Sequence, residues 1–161
     1  MKFKILLAGD GGQGVQTIAK IVSECFFAKN FEVSSIPNYG LEQRGGVSLS
    51  FIQVSDKQIF YPKFAKADFL LLMSEQARER TSEHVSADTE IIDFKNYQEI
   101  ILQNKISRSS LNIFFLGVIA KFLSEKNLIS KDDIFVIFEK KLASKKNWEE
   151  NKQVFEMGFL I

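Results

Sequence analysis

The residue types best suited to binding chemistry lie in a glycine-rich turn near the start of the chain, GDGGQG at positions 9–14. Its first, third and sixth residues have the G-x-G-x-x-G spacing of loops that hold phosphate groups. Glycine lets backbone N–H groups approach a ligand closely, and the N-terminus of a following helix favours negative charge. The turn could therefore hold a phosphate or another anion. Its residues are Gly9, Asp10, Gly11, Gly12, Gln13 and Gly14.

The segments on either side of this turn predict the elements that position it. Lys4–Ala8 is an apolar run that predicts a buried strand, and Phe31–Ile36 predicts a second strand. Strand, helix and strand within about 33 residues is the length of a parallel crossover unit. A helix is expected between the strands because one face at helical spacing carries Val15, Ile18, Ala19, Val22, Cys25 and Phe26.

The best-known use of such a turn, binding a dinucleotide, is weakened by the residues at the end of the second strand. A dinucleotide site places an acidic residue there, about twenty residues past the glycines, to bind the ribose hydroxyls. Here the strand ends in Ser34–Pro37, and Glu32 lies at its start. A G-x-x-x-x-G-K-[ST] motif is also absent, because Gly14 is followed by Val15 and Gln16. A stand-alone NAD(P)- or flavin-binding protein is therefore the alternative interpretation.

A second glycine-rich stretch, PNYGLEQRGG at positions 37–46, comes after the second strand. In a parallel sheet it would leave the carboxyl end of its strand, the edge where open α/β sheets bind ligands. The first turn leaves its own strand at the same edge, so we predict that both loops lie on one edge of the sheet. The alternative is a surface loop whose glycines only serve turns. The site candidates in this stretch are Tyr39, Gly40, Arg44, Gly45 and Gly46.

The rest of the chain predicts a mixed α/β sheet. Val47–Val54 alternates apolar and polar residues, which predicts a strand with one more polar face, and Gln58–Tyr61 would be its hairpin partner. The hairpin would add an antiparallel edge to a mostly parallel sheet. Further strands are predicted at Ala67–Met73 and Glu90–Phe94, and helices at Glu75–Ser82, Leu111–Lys126, after Ser130 and at Trp148–Met157.

Length and composition bound the remaining possibilities. With 161 residues, of which 45% are hydrophobic and 25% charged, the chain is expected to form one domain over positions 1–161. A net charge of +1 gives no field that would favour nucleic acid or an anionic membrane. The first apolar run is too short for a signal peptide or a membrane span, so we expect a cytoplasmic location.

Cys25 and His84 are the only cysteine and the only histidine in the sequence. A single cysteine excludes a disulfide within the chain, a cysteine-ligated iron–sulfur cluster and a cysteine-rich zinc site. His84 lies in a polar segment, where we expect a solvated loop residue rather than a catalytic base. We therefore predict no metal site and no complete catalytic constellation in this chain.

Several segments, in this order, resemble one known family. They are the strand–GDGGQGV–helix opening, YGLEQRGG at positions 39–46, the segment that ends in Tyr61-Pro62, ADFLLLMSE, NIFFLGVIA and the C-terminal NWEENKQVFEMGF. Together they cover nearly the whole chain. They resemble the gamma subunit, or gamma domain, of the thiamine-diphosphate-dependent 2-oxoacid:ferredoxin (acceptor) oxidoreductases, which include pyruvate, 2-oxoglutarate, 2-ketoisovalerate and indolepyruvate enzymes.

The resemblance implies a three-layer, Rossmann-like α/β domain that works inside a larger enzyme. Such an enzyme oxidatively decarboxylates a 2-oxoacid, with pyruvate and 2-oxoglutarate the expected substrates, to an acyl-CoA and passes electrons to ferredoxin or a similar carrier. The implied partners are alpha and beta subunits, and a delta subunit where one is present. Thiamine diphosphate, Mg²⁺, iron–sulfur clusters and CoA belong to the complex. None of them is expected to be bound by this chain alone, which would be inactive by itself.

The same resemblance assigns the two glycine-rich stretches to two family loops. We expect both loops to pack against the catalytic subunits near the active-site entrance, and it stays open whether they also contact CoA. Arg44 would bind a carboxylate or phosphate there, since its guanidinium fork suits either group. The alternative for Arg44 is a surface salt bridge worth under about 1 kcal/mol. The first loop contains Gly11, Gly12, Gln13 and Gly14, and the second Tyr39, Gly40, Arg44, Gly45 and Gly46.

Overall fold

A computed structural model describes residues 1–39 and 45–161 of the chain. The strands of the described residues all lie before residue 94, with one helix after the first strand and one after the fourth, and helices follow them. The strands are β1 (Lys2–Asp10), β2 (Glu32–Tyr39), β3 (Val47–Ser55), β4 (Phe69–Leu72) and β5 (Glu90–Asp93). The helices are α1 (Val15–Ala28), α2 (Glu75–Thr81), α3 (Gln98–Gln103), α4 (Leu111–Glu125), α5 (Lys131–Leu142) and α6 (Trp148–Leu160).

The strands form one sheet in the order β2-β3-β1-β4-β5. β1 pairs with β4, and β4 with β5, in parallel. β3 runs antiparallel to both of its neighbours, β1 and β2. The predicted mixed α/β class is therefore confirmed, and its antiparallel part is larger than an edge hairpin.

The predicted hairpin partner, Gln58–Tyr61, is wrong, because this described segment forms no strand. Its backbone is held by a side chain instead: Gln53 Nε2 donates to Tyr61 O at 3.2 Å. β3 finds its two partners far away in sequence, and it lies between β1 and β2. The predicted crossover from β1 to β2 therefore joins strands that point the same way without being neighbours. Local alternation predicts a strand but carries no information about its partners.

Neither face of β3 is exposed, because Ile52 and Val54 pack into one hydrophobic cluster and Leu49 and Phe51 into another. Ser48, Ser50 and Gln53 are all buried, and Ser50 has no exposed surface. The Ser50 hydroxyl has no hydrogen-bond partner among the described residues. A strand that is covered on both faces does not need an alternating pattern. The polar residues of β3 therefore do not indicate a face that is exposed to solvent.

One face of the sheet is covered by four helices, and the other by α2 and the segment that contains Phe64. This arrangement confirms the three-layer expectation. Ile5 and Leu7 of β1 face the larger core, which α1, α4, α5 and α6 complete. Leu6 and Ala8 face a smaller core. That second core is closed by Ala77 of α2 and by Phe64, whose ring packs edge-on against Phe51 at 5.3 Å between centroids.

Helices α4 and α6 approach each other through two glycines. A Cβ atom on Gly158 would lie 2.0 Å from Phe114 O, and one on Gly117 would lie 2.2 Å from Phe155 O. The two backbones are therefore in direct contact, and α4 is buried between the sheet and α6. This arrangement accounts for the apolar residues around most of the α4 circumference. Within the described residues, none of the helices is both long and apolar enough to cross a membrane.

Candidate functional site

The first glycine-rich turn connects β1 to α1 at the carboxyl edge of the sheet. β1 extends through Asp10, so Gly9 and Asp10 lie in the strand rather than in the turn. Gly12 and Gly14 have φ values of 87° and 79°, in the left-handed region that favours glycine. Gly14 is also the N-cap of α1, and a Cβ atom there would lie 2.5 Å from the Asn112 amide of α4. Glycine is therefore required at position 14 for both conformation and space.

The second glycine-rich stretch begins later than predicted, because β2 continues through Pro37 to Tyr39. Tyr39 is thus a strand residue, with 65% of its surface exposed. Gly45 and Gly46 lead into β3, and Gly45 has a φ of 74°. The predictions for Gly40 and Arg44 lie outside the described residues.

The structure brings the two glycine-rich stretches into contact at one point. Gly11 N donates to Gly46 O at 2.7 Å. A Cβ atom on Gly11 would lie 3.3 Å from the same oxygen, which is tighter than an ordinary contact. The turn after β1 and the approach to β3 are therefore joined by a backbone hydrogen bond between two closely packed backbones.

Gln13 fixes the first turn onto the end of β4. Its Oε1 accepts a hydrogen bond from Asp10 N at 2.6 Å, and its Nε2 donates to Met73 O at 3.4 Å. A Cβ atom on Gly9 would lie 2.7 Å from Gln13 Oε1. The glutamine side chain thus folds back over Gly9 and connects β1 to β4. We call this pair of bonds the Gln13 bridge.

Asp10 places a carboxylate at the centre of this edge. Ser74 Oγ donates to Asp10 Oδ1 at 2.7 Å, and the same hydroxyl caps α2 by accepting from Ala77 N at 3.2 Å. When its amide nitrogen faces acceptors, Gln76 donates to Asp10 Oδ1 and to Gly45 O, each at 3.2 Å. One carboxylate therefore links the first turn, the start of α2 and the second glycine-rich stretch.

Sequence reasoning missed the roles of Asp10, Ser74 and Gln76. The available signal was the capping position of Ser74 before α2. It indicates a helix start but not the carboxylate that Ser74 binds. Among the described residues, no lysine, arginine or histidine forms an ion pair with Asp10. A negative charge held here by neutral donors disfavours a second negative group beside it.

A crevice of about 590 Å³ opens beside Asp10, outside the carboxyl ends of the parallel strands β1 and β4. The connections that leave these strands cover opposite faces of the sheet, since α1 packs into the larger core and α2 into the smaller one. Ligands in open α/β sheets bind at such a switch point. The crevice is lined by Asp10, Gln13, Met73, Ser74, Glu75, Phe94, Gln98, Ile101, Leu102, Leu111 and Phe115.

Among the described residues, the lining of this crevice is mostly apolar with two carboxylates, and it contains no lysine, arginine or histidine. Two basic groups beside the lining residue Glu75 are engaged in a network on the rim. Arg78 pairs with Asp93 at 2.8 Å and with Glu75 at 3.0 Å, and Lys95 pairs with Glu75 at 2.9 Å. Hydrogen bonds from Lys95 and then Arg78 lower the pKa of Glu75, and those to Asp93 and then Glu75 raise the pKa of Arg78. The chemistry of this crevice suits hydrogen-bond donors and apolar groups better than a phosphate.

The side chains of Cys25 and His84 are both packed against other parts of the protein. Burial, followed by the nearby Asp133 and Glu24 charges, raises the pKa of the Cys25 thiol to about 12. That thiol is therefore protonated at neutral pH and is not a nucleophile. The expectation of a solvated His84 is wrong, because its side chain is only 15% exposed. The imidazole bonds Ala65 O through Nδ1 at 2.9 Å and packs edge-on against Phe51 at 5.0 Å. Within the described ranges, no group of three or more His, Cys, Asp or Glu side chains is placed to hold a metal ion.

Comparison with known proteins gives a consistent family. The family described as pyruvate ferredoxin/flavodoxin oxidoreductase matches residues 4–98. The 2-oxoglutarate synthase subunit KorC of Archaeoglobus fulgidus is 26% identical over 166 residues, which cover 96% of this chain and 85% of that protein.

Two solved structures have the same fold. The gamma subunit of a keto/oxoacid ferredoxin oxidoreductase from Geobacter sulfurreducens has a TM-score of 0.74 and 22% identity, covering 98% of this chain and 96% of that one. The 2-oxoglutarate:ferredoxin oxidoreductase of Magnetococcus marinus, solved with 2-oxoglutarate, coenzyme A and succinyl-CoA bound, also has a TM-score of 0.74. Its identity is 18%, and the match covers 98% of this chain and 30% of that one.

Proposed function

The chain belongs to the pyruvate ferredoxin/flavodoxin oxidoreductase family, and from that membership we propose that it is the gamma subunit of a 2-oxoacid:ferredoxin oxidoreductase. The assembled enzyme oxidatively decarboxylates a 2-oxoacid to an acyl-CoA and passes the electrons to ferredoxin or a similar acceptor. The observation that carries this proposal is the match along 96% of the chain to a 2-oxoglutarate synthase subunit. That relative favours 2-oxoglutarate as the substrate, with pyruvate as the second possibility.

The geometry supports a subunit that contributes structure rather than a complete catalytic site. The Gln13 bridge, the Asp10 carboxylate and the bond from Gly11 to Gly46 make a tightly connected edge. The thiol of Cys25 is protonated and buried, and His84 is packed against Phe51. We infer that the reacting groups come from the alpha and beta subunits, against which this edge packs.

The cofactors of the complex do not fit the described residues of this chain. An iron–sulfur cluster is held by several cysteine thiolates, and the sequence has one cysteine. Thiamine diphosphate needs a site for its diphosphate and Mg²⁺, whereas Asp10 Oδ1 accepts a hydrogen bond from Ser74 beside a crevice whose described lining has no basic residue. We infer that thiamine diphosphate, Mg²⁺ and the clusters are bound by other subunits.

The alternative of a stand-alone dinucleotide-binding protein has less support. A dinucleotide-binding sheet places the second strand beside the first, so that its terminal acid reaches the ribose bound over the glycine turn. Here β3 separates β1 from β2, and β2 ends in Tyr39. The Asp10 carboxylate would also lie close to a pyrophosphate bound at the turn.

The test compares the isolated chain with the assembled enzyme. We expect calorimetry on the isolated chain to detect no NAD(H), FAD or thiamine diphosphate binding, and omission of the chain to abolish acceptor reduction by the other subunits. Micromolar binding of a dinucleotide, or full turnover without the chain, would overturn the proposal. Mass spectrometry of the native complex would identify the subunits, and turnover with each 2-oxoacid would identify the substrate.

Arg44 stays a prediction from the sequence, as an interface residue that binds a carboxylate or phosphate of the complex. We expect Arg44→Ala to reduce turnover in the assembled enzyme and Arg44→Lys to restore only part of it, because lysine lacks the bidentate fork. If turnover and co-purification are unchanged in both variants, the proposed role is wrong and the alternative of a surface salt bridge at Arg44 is favoured.

A further inference from the structure

The end of the sheet opposite the glycine turns carries two neighbouring aromatic residues, Phe60 and Tyr61, that are 75% and 81% exposed. They come after β3, whose last residue, Ser55, is paired with the start of β1 and of β2. The nine residues of β3 separate the two ends by roughly 30 Å at about 3.3 Å per residue. The glycine turns and this aromatic pair therefore lie on different surfaces.

The backbone that presents the two rings is anchored on both sides. Before them, Lys57 N donates to Ser55 Oγ at 3.0 Å. After them, Phe64 is 9% exposed and packs against Phe51. Tyr61 O itself accepts from Gln53 Nε2 at 3.2 Å, and Gln53 is 2% exposed. The rings are thus held outside the core by a segment with a defined course, rather than by a free loop.

A groove of about 580 Å³ runs beside the rings, and its rim is basic. Lys2 and Lys57 line it, and Lys63 comes shortly after the aromatic pair; all three are exposed. None of the three has an ion-pair partner within the described part of the chain. Asp56 is also in the lining, and its carboxylate pairs with the Met1 amino group. We call this surface, Lys2 with Asp56–Lys63, the aromatic end.

We propose that the aromatic end is a second docking surface, which binds an acidic segment of another subunit that inserts an apolar side chain beside Phe60 and Tyr61. Exposed aromatic residues are the side chains that contribute most to protein interfaces, and the three lysines select a partner surface of opposite charge. A net charge of +1 gives no long-range field for nucleic acid or an anionic membrane, and the aromatic pair beside the groove offers contact area for an inserted apolar side chain. A protein partner is therefore favoured over RNA or an anionic membrane.

The partner subunits are those of the proposed function, on which this inference rests. Binding of the full chain to the other subunits of the complex, purified without it, is measured by calorimetry. Phe60→Ser with Tyr61→Ser should weaken binding at least about thirtyfold, as loss of an interface hot spot does. Lys57→Glu with Lys63→Glu should weaken it about tenfold and reduce its salt dependence, because the favourable charge pairs are lost.

Matched controls use the same residue types elsewhere on the surface. Phe27 is 72% exposed at the end of α1, and Lys20 is exposed on the same helix. Phe27→Ser and Lys20→Glu should leave the affinity within about twofold of wild type, and all variants should keep the wild-type melting temperature because the changed side chains are exposed.

The outcomes separate the two proposals. A wild-type chain that does not bind the other subunits refutes the proposed function and this inference with it. Wild-type affinity in the double aromatic variant refutes this inference alone. If a variant changes the oligomeric state of the isolated chain, the surface binds a second copy. If wild type binds single-stranded RNA or anionic vesicles and a variant does not, the surface binds that ligand. Each of these results would also refute the inference.

Discussion

Replacing Gln13 by alanine tests whether one side chain holds the glycine edge together. The substitution removes the 2.6 Å bond from Asp10 N and the 3.4 Å bond to Met73 O. The second bond is long, so most of the loss falls on the Asp10 N–H, which is left without its acceptor in a half-buried position. Leaving such a donor unsatisfied costs about 1–3 kcal/mol, and partial access to water places the expected loss at about 1–2 kcal/mol.

The assay is urea or thermal unfolding of the isolated chain. For a protein of this size the expected loss lowers the melting temperature by about 2–8 °C. Gln103 provides the control, because it is an exposed glutamine of α3 whose Nε2 donates to the neighbouring Glu99 at 3.1 Å. We expect Gln103→Ala to change the free energy of unfolding by less than about 0.5 kcal/mol.

A charged variant of the same residue sharpens this test. Gln13→Glu keeps an acceptor for Asp10 N, but it removes the donor to Met73 O and adds a carboxylate beside that of Asp10. It should be less stable than Gln13→Ala at neutral pH and should recover when acid protonates the new carboxyl group. If Gln13→Ala and Gln103→Ala destabilise the chain equally, the Gln13 bridge does not hold the edge.

Two further predictions concern the helical layer. Gly158→Ala should destabilise the chain by about 1–3 kcal/mol in urea, because its Cβ atom would lie 2.0 Å from Phe114 O; an alanine variant as stable as wild type would mean that α6 shifts without loss. Asp133→Asn should lose about 0.5–1.5 kcal/mol near neutral pH, because it removes the 2.8 Å ion pair with Lys29 and replaces the charged acceptor in the capping box of α5 by a neutral amide. Hydrogen bonds from Lys29 and Ser130 lower the pKa of Asp133, so its contribution is present above the ordinary Asp pKa of about 3.9 and is lost as the pH falls below it. The difference between wild type and Asp133→Asn should therefore shrink in acid. Asp132→Asn, an exposed change in the same helical turn, is the control and should change the free energy of unfolding by less than about 0.5 kcal/mol.

The sequence was most informative where structure depends on nearby residues. The apolar run of β1, the helical face that starts at Val15 and the serine cap of α5 all predicted their elements because strand burial, helix periodicity and capping act within a few residues. The carboxyl edge shared by the two glycine-rich stretches was also predicted, since connections that leave strands pointing the same way emerge at the same side of a sheet.

The errors concern contacts between distant segments. The pattern of Val47–Val54 did not predict that β3 would lie between β1 and β2, and His84 gave no sign of the carbonyl of Ala65, which its imidazole bonds. Register and partner choice depend on which faces the whole chain can bury at once. A short window of sequence does not contain that information.

By itself, the sequence determined the family and the two glycine-rich stretches, because motifs and glycine content are properties of the residues themselves. The structure then decided which of the described glycines, Gly12, Gly14 and Gly45, adopt left-handed backbone. Only the tertiary structure decided how the first turn is held. It placed the Asp10 carboxylate under Ser74 and Gln76, closed the turn with Gln13, and joined Gly11 to Gly46. The glycine spacing suggests a phosphate-binding loop, but in the structure the turn is held by hydrogen bonds around the Asp10 carboxylate. The partners come from the end of β4, the start of α2 and the start of β3, which meet there only after folding.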